Sequence, residues 1–209
     1  MSAAGALTYA LAAEALDLIK GAGMVRAEIA GSIRRGKDEP GDIEILCVPV
    51  ITPITQTDLF GNVTEIGKRS SIDEAVAALM AREWSLDAEL KRNGPKHKRL
   101  MSPAGVPLDL FITDAAQWGC QFMIRTGPAG FSQAMVTRAR QMRLQVTDGL
   151  LHRHPVTLDG ERCNKGAGCP LVTPTPEEPD LFAALKVNYI EPRARSVKAL
   201  GAAGIGWRS

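Results

Sequence analysis

The chain has 209 residues, 45% of them apolar and 23% charged, with a net charge of +2, a composition that fits one domain or a domain with a small appendage. No apolar run reaches the length of a membrane span, and no basic stretch precedes an apolar core at the N-terminus, so the reading is a soluble, cytoplasmic protein without a membrane partner. Residues 1–110 carry 13 Lys and Arg against 15 Asp and Glu, and residues 111–209 carry 12 against 8, a split that suits cations held in the first half and nucleic-acid backbone in the second.

In chain order, residues 7–19 show helical apolar spacing at Leu7, Leu11, Ala15, Leu18 and Ile19, and Gly21 and Gly23 stop that helix. Met24 to Ala30 reads as a strand feeding a Gly31-Ser32 turn, and a second strand runs from Asp42 to Val50. Residues 51–69 read as a long Thr- and Gly-bearing loop. Ser71 and Glu74 form a capping box for a helix over 72–83. Trp84 to Lys91 and Lys96 to Met101 suit strands on either side of an Asn93-Gly94-Pro95 turn, and Val106 to Ile112 suits another.

Beyond this point the pattern changes. Residues 114–125 and 131–142 read as helices broken at Thr126-Gly127-Pro128-Ala129-Gly130, with Arg138 and Arg140 on a solvent face. Leu144–Thr147 and Leu150–His154 read as a hairpin turning at Asp148-Gly149. Residues 155–174 form a Pro- and Gly-rich insertion, and Thr175-Pro176-Glu177-Glu178 opens a helix over 176–186. The tail from Ser196 to Ser209 is rich in Ala and Gly and reads as partly mobile. Cys47 and Cys120 sit in apolar surroundings and read as buried thiols. Cys163 and Cys169, with His152 and His154 upstream, fit no common zinc spacing, and both a zinc site and a plain thiol loop stay open.

The chemistry concentrates at three acids. Asp42 and Glu44 lie two residues apart in an aliphatic strand, so their side chains share one face while Ile43 and Ile45 take the other. Two carboxylates forced together call for a cation between them, and a divalent metal is the usual answer. Asp109 is an acid in an otherwise apolar run, where burial without a partner is costly. Upstream, Gly31 and Ser32 let backbone and a hydroxyl approach an anion, with Arg34 and Arg35 beside them. Carboxylates for metal together with amides, hydroxyl and arginine for phosphate are the equipment of phosphoryl or nucleotidyl transfer.

Gly31-Ser32-Ile33-Arg34-Arg35-Gly36 followed by Gly41-Asp42-Ile43-Glu44 resembles the palm motif of the nucleotidyltransferase superfamily and, more narrowly, of family X DNA polymerases of the DNA polymerase beta type. The Thr126-Gly127…Phe131 turn resembles the same family's nucleotide-binding subdomain, and Tyr189-Ile190-Glu191-Pro192-Arg193 resembles its closing segment. The likeness covers residues 8–195. It implies an α+β fold: a palm with a mixed sheet and flanking helices over residues 1–113, a small α/β thumb-like subdomain over 114–195, and a tail over 196–209.

The resemblance also implies the roles. Asp42, Glu44 and Asp109 would be catalytic and would hold two Mg²⁺ ions, with Mn²⁺ as a substitute, and Asp109 would serve as base toward a primer 3′-hydroxyl. Gly31, Ser32, Arg35 and Gly41 would bind the triphosphate, and Thr126, Gly127, Phe131 and Ser132 the sugar and base. Lys96, Lys98, Arg99, Arg138 and Arg140 would grip DNA, although the basic strand at Lys96–Arg99 also reads as a sheet edge kept charged. In that family the peptide after the Thr-Gly pair is cis, and Pro128 here lowers the energetic penalty of that form, so Gly127–Pro128 is predicted to be cis. Glu44 stands where polymerases usually have Asp, which bears on metal geometry; Ile124 and Arg125 replace an aromatic pair lining the sugar pocket, which bears on discrimination against ribonucleotides; and Ser132 and Val136 replace an Asn and an Arg, which implies low fidelity. The expectation is a small monomeric DNA polymerase that adds dNTPs to a primer or a gap. The alternative is a template-independent nucleotidyltransferase acting on RNA, a protein or a small molecule.

Overall fold

The structure, a computed structural model, describes residues 2–87, 93–153 and 171–203. The chain divides into two units, one formed by Met1–Ile29 with Gly41–Ile112 and the other by Ala30–Pro40 with Thr113–Ser209. The turn that begins at Gly31 therefore groups with the C-terminal residues, although a strand of the first unit lies on each side of it in sequence.

In the first unit, helix α1 (Ala3–Gly21) starts where the Ser2 hydroxyl accepts from Gly5 N–H at 3.2 Å and ends as the chain turns through Gly23, whose φ is +84°. Its buried stripe is Thr8, Ala12, Ala15 and Ile19, the spacing of one helical face. Strand β1 (Arg26–Ile29) pairs antiparallel with β2 (Ile43–Val48). Strand β2 pairs in parallel with β8 (Pro107–Ile112), and β8 pairs antiparallel with β7 (His97–Met101). Two short strands, β5 (Ser85–Leu86) and β6 (Asn93–Gly94), both pair with β7 and complete a mixed six-stranded sheet. Ile43, Ile45, Leu108 and Leu110 are fully buried, and they alternate along β2 and β8 with Glu44 and Asp109. Helix α3 (Ser71–Met80) packs on α1. Its cap is Ser70, one residue earlier than expected, because the Ser71 hydroxyl accepts from Val50 N–H instead.

Residues 51–69, expected to be a loop, contain a hairpin of β3 (Ile51–Thr57) and β4 (Val63–Ser70). Every residue of β3 is exposed, so there is no alternation of burial to mark it in the sequence. The Asp58 carboxylate organises the tip by accepting from Phe60 N–H and Asn62 N–H, each at 2.9 Å. Asn62 Nδ2 also donates to Asp58 Oδ2 at 2.9 Å, and this side-chain bond, followed by the backbone ones, holds the Asp58 carboxyl below its usual range.

In the second unit, a short helix α2 (Gly31–Arg34) is followed by the exposed stretch 36–39. Helices α4 (Trp118–Thr126) and α5 (Ala129–Gln141) meet at Gly127-Pro128. The β9 (Leu144–Thr147) and β10 (Leu150–Arg153) hairpin turns at Asp148 and Gly149, with φ of +53° and +76°, the pairing a tight two-residue turn requires. Strand β11 (Val172–Thr173) adds to β10, and α6 (Glu178–Ala184) and α7 (Val197–Ala202) close the unit, so part of the expected tail is helix. The core joins Cys120, Met123, Phe131, Met135, Leu151, Leu181, Phe182 and Leu185.

No peptide among the described residues is cis, so the expectation for Gly127–Pro128 is corrected. Gly127 (φ −66°, ψ 151°) and Pro128 (φ −62°, ψ 150°) are both extended, and a trans bond between two such residues already carries the chain from α4 into α5. No described helix is long and apolar enough to cross a membrane.

The contrast between sheet core and hairpin is measurable. Leu110→Ala, at a fully buried position, should cost about 2–5 kcal/mol. Leu59→Ala, at a fully exposed one, should stay within about 0.5 kcal/mol of the parent. Urea titration followed by circular dichroism reads both; equal losses would contradict the exposed placement of the hairpin tip.

Candidate active site

The three acids belong to the first unit. Register places Glu44 of β2 opposite Asp109 of β8, and Asp109 opposite Arg99 of β7, giving one cross-strand row of acid, acid and base. Asp42 lies just before β2 and is half-buried, as is Glu44. Strand β8 is internal, between β2 and β7, and Asp109 is 8% exposed. Its Oδ1 lies 2.8 Å from His97 Nε2, and Arg99 Nη1 stands 3.7 Å from Oδ2. Arg99 also faces Asp87, at 3.8 Å. The His97 ring stacks on Phe111, with centroids 4.9 Å apart and planes 13° from parallel.

This acid set suits a divalent cation that prefers oxygen ligands. The register brings two of the acids onto adjoining strands, and one oxygen of Asp109 lies beyond hydrogen-bond reach of Arg99. Among the described residues, however, no three His, Cys, Asp or Glu side chains converge closely enough to enclose an ion.

Strand β7 is flanked by β8 on one side and by β5 and β6 on the other, so reading Lys96–Arg99 as a sheet edge is corrected. Lys98 Nζ donates to Asn93 O at 3.1 Å, and Arg99 faces Asp109 and Asp87. Lys96 sits in the turn before β7, and Gly41 lies exposed before Asp42.

Apart from Gly41, which falls in the first unit, the anion-binding candidates belong to the second unit. Gly31 has φ +61°, a conformation that strains any residue with a Cβ. Ser32 Oγ is buried and has no hydrogen-bond partner in the structure. Arg35 Nη1 donates to Thr126 O at 2.6 Å. Arg34 donates to Thr126 Oγ1 at 2.7 Å, grips both oxygens of Glu178 at 2.9 and 3.1 Å, and lies 3.7 Å over the Phe122 ring. Thr126 is thus tied to both arginines of the Gly-Ser motif. Gly127 tolerates no side chain, since a Cβ there would come within 2.7 Å of Ser132 Oγ and 2.9 Å of Phe131. Ser132 donates its hydroxyl to Ile124 O at 2.9 Å, and Phe131 is fully buried in the core.

Sequence reasoning missed Glu178, which is 2% exposed. It accepts from Arg34, from Arg195 Nη1 at 2.6 Å and from the Tyr189 hydroxyl at 3.1 Å. Burial works to raise its carboxyl, but the hydrogen bonds and charges of Arg195 and Arg34 outweigh that and hold it below the ordinary glutamate range. Its signal in the sequence was an acid in the first turn of an apolar helix, which reads equally as a capping residue.

Of the two arginines expected on a solvent face of α5, Arg140 is exposed, whereas Arg138 donates to Leu185 O at 3.2 Å. Cys47 and Cys120 are free and fully buried, and burial pushes each thiol up to about 12. His152 is buried in β10, while His154, Cys163 and Cys169 lie outside the described residues.

No protein-family model matches the chain. The chain is similar to DNA polymerase lambda of Rattus norvegicus, at 25% identity over 181 residues, which is 79% of this chain and 28% of that polymerase. It therefore spans less than a third of that relative's length.

The Glu178 network sets a pH dependence. A carboxyl held low in the folded state contributes stability that is complete above its unfolded value, near about 4.3. That contribution is lost as pH falls from there through the folded value. Glu178→Gln should remove this contribution and cost on the order of 3 kcal/mol at neutral pH, because Arg34 and Arg195 lose their counter-charge. Thermal melts from pH 7 to pH 3 should show a shallower acid decline in the variant, and parallel declines would exclude Glu178 as a source.

Proposed function

We propose that the chain is a metal-dependent nucleotidyltransferase of the family X DNA polymerase type, which adds deoxynucleotides to a primer 3′-hydroxyl under the direction of a template. The observation that carries this reading is the register of Glu44 against Asp109 on adjoining strands, with Asp42 two residues before Glu44. The similarity to a DNA polymerase supports it, as does the buried, unpartnered Ser32 hydroxyl in the Gly-Ser turn.

In this reading Asp42, Glu44 and Asp109 hold divalent cations, which supply charge neutralisation at the triphosphate and at the attacking oxygen. Asp109 takes the proton as the primer 3′-oxygen bonds to the α-phosphorus and the bond to pyrophosphate breaks. Ser32 offers its hydroxyl to the terminal phosphates, and the remaining guanidinium nitrogens of Arg35 add positive charge there. The bonds from Arg34 and Arg35 to Thr126 tie the C-terminal end of that turn to the end of α4. Lys96, Lys98, Arg138 and Arg140 are the candidates for contact with DNA phosphates.

Primer extension with Mg²⁺ or Mn²⁺ on a one-nucleotide gap, an open template-primer and a bare single strand tests the proposal. Addition dictated by the template base is expected. Asp42→Ala or Asp109→Ala should lose several kcal/mol of transition-state stabilisation, a fall of about a hundred-fold or more. Ser32→Ala should chiefly raise KM for the deoxynucleotide. Addition to bare DNA regardless of template would favour a template-independent transferase, and no addition to any DNA would point to an RNA, protein or small-molecule acceptor.

A further inference from the structure

Asp109 is accompanied by a side chain that the polymerase reading does not use. His97 lies on the neighbouring strand β7, two residues from the Arg99 that stands opposite Asp109, and faces Phe111 across the strands. Its ring is fixed from two directions, by stacking on Phe111 at 4.9 Å and by the 2.8 Å contact of Nε2 with Asp109 Oδ1. A carboxylate oxygen accepts, so Nε2 carries the hydrogen. That bond pins one oxygen of Asp109. The other, Oδ2, makes no hydrogen bond among the described residues, and Arg99 Nη1 stays 3.7 Å from it, near enough to attract but too far to bond. The carboxylate is thus held with one oxygen committed and one oxygen open.

We propose that His97 is a positioning residue for Asp109: its Nε2–H holds Oδ1 so that Oδ2 is the oxygen presented to a divalent cation. The inference rests on the reading of Asp109 as a cation-binding acid. Hydrogen bonds of this kind orient ligating carboxylates, and losing one typically weakens metal binding by 10- to 100-fold. Phe111 matters as the surface that keeps the imidazole in the plane from which Nε2 meets the carboxylate. A glutamine in place of His97 supplies an N–H donor on a side chain of comparable reach, whereas an alanine supplies none.

The experiment is direct titration of the full chain with Mn²⁺, reading free ion by its paramagnetic resonance signal, in parent, His97→Ala, His97→Gln and Asp109→Ala proteins, with circular dichroism confirming that each is folded. His97→Ala should bind Mn²⁺ about ten-fold more weakly or worse, and His97→Gln should recover to within about three-fold of the parent. Loss of binding in Asp109→Ala with parental affinity in His97→Ala would overturn the role of His97 alone. A folded His97→Gln as weak as His97→Ala would overturn the hydrogen-bond assignment. Parental binding in Asp109→Ala, or none in the parent, would instead sink the reading of Asp109 on which the inference stands. Should His97→Ala fail to fold, the glutamine variant still decides: affinity near the parent's supports the role, and a loss of ten-fold or more overturns it.

Discussion

The second unit depends on one carboxylate that ought to be costly. Glu178 is withdrawn almost completely from water, and an isolated charge there would carry a desolvation penalty of several kcal/mol. It is tolerated because two guanidiniums and a phenol converge on it from separate parts of the chain: Arg34 from the Gly-Ser turn, Arg195 from beyond the 3₁₀ turn at Pro192–Ala194, and Tyr189 between them. The network therefore does more than neutralise charge. Arg34 reaches the end of α4 through Thr126, so the turn with the unpartnered Ser32 hydroxyl and the helix end that precedes Gly127 are held in one hydrogen-bonded system. The short turn α2 is held by this anchorage together with the burial of Gly31 and Ile33.

The first unit manages like charge differently. Its sheet sets Glu44 and Asp109 side by side, and it answers the repulsion with Arg99 across the next strand and His97 two residues away. Arg99 is shared with Asp87, so the positive charge is divided between two acids and leaves Asp109 incompletely matched. Partial compensation of this kind is compatible with an acid that has to accept a cation; a full bidentate arginine would occupy both of its oxygens.

Much of this was readable in the sequence. The alternation of Ile43, Glu44 and Ile45 and of Leu108, Asp109 and Leu110 defined two strands and the acids on them, because the apolar face of each is fully buried. The ranges expected for helices α1, α3, α4 and α5, α1 from apolar spacing and α3 from its capping residues, lie within a few residues of those observed. Long-range partners were not legible: Arg34 and Glu178 are 144 residues apart, and nothing local distinguishes a buried Glu178 from a capping acid. His97 looked like one more member of a basic run, and its relation to Asp109 appears only once β7 and β8 are paired. The hairpin at 51–70 escaped because nearly all of its strand residues are exposed, so no alternation of burial marks them, and its Thr and Gly content carried the local reading toward a loop.

That hairpin carries a hazard and its own remedy. A two-stranded ribbon with Ile51, Ile54, Val63 and Ile66 all exposed presents, among the described residues, two outer rows of backbone donors and acceptors that join no further strand, the template on which another chain can add a strand and seed aggregation. Pro53 deletes a donor from one row, the register shift between Ile54 and Thr55 twists the ribbon away from flatness, and Glu65, Lys68 and Arg69 place charge along the other. The chain can thus hold out a β-ribbon rich in aliphatic side chains while denying an incoming strand a straight, uncharged edge.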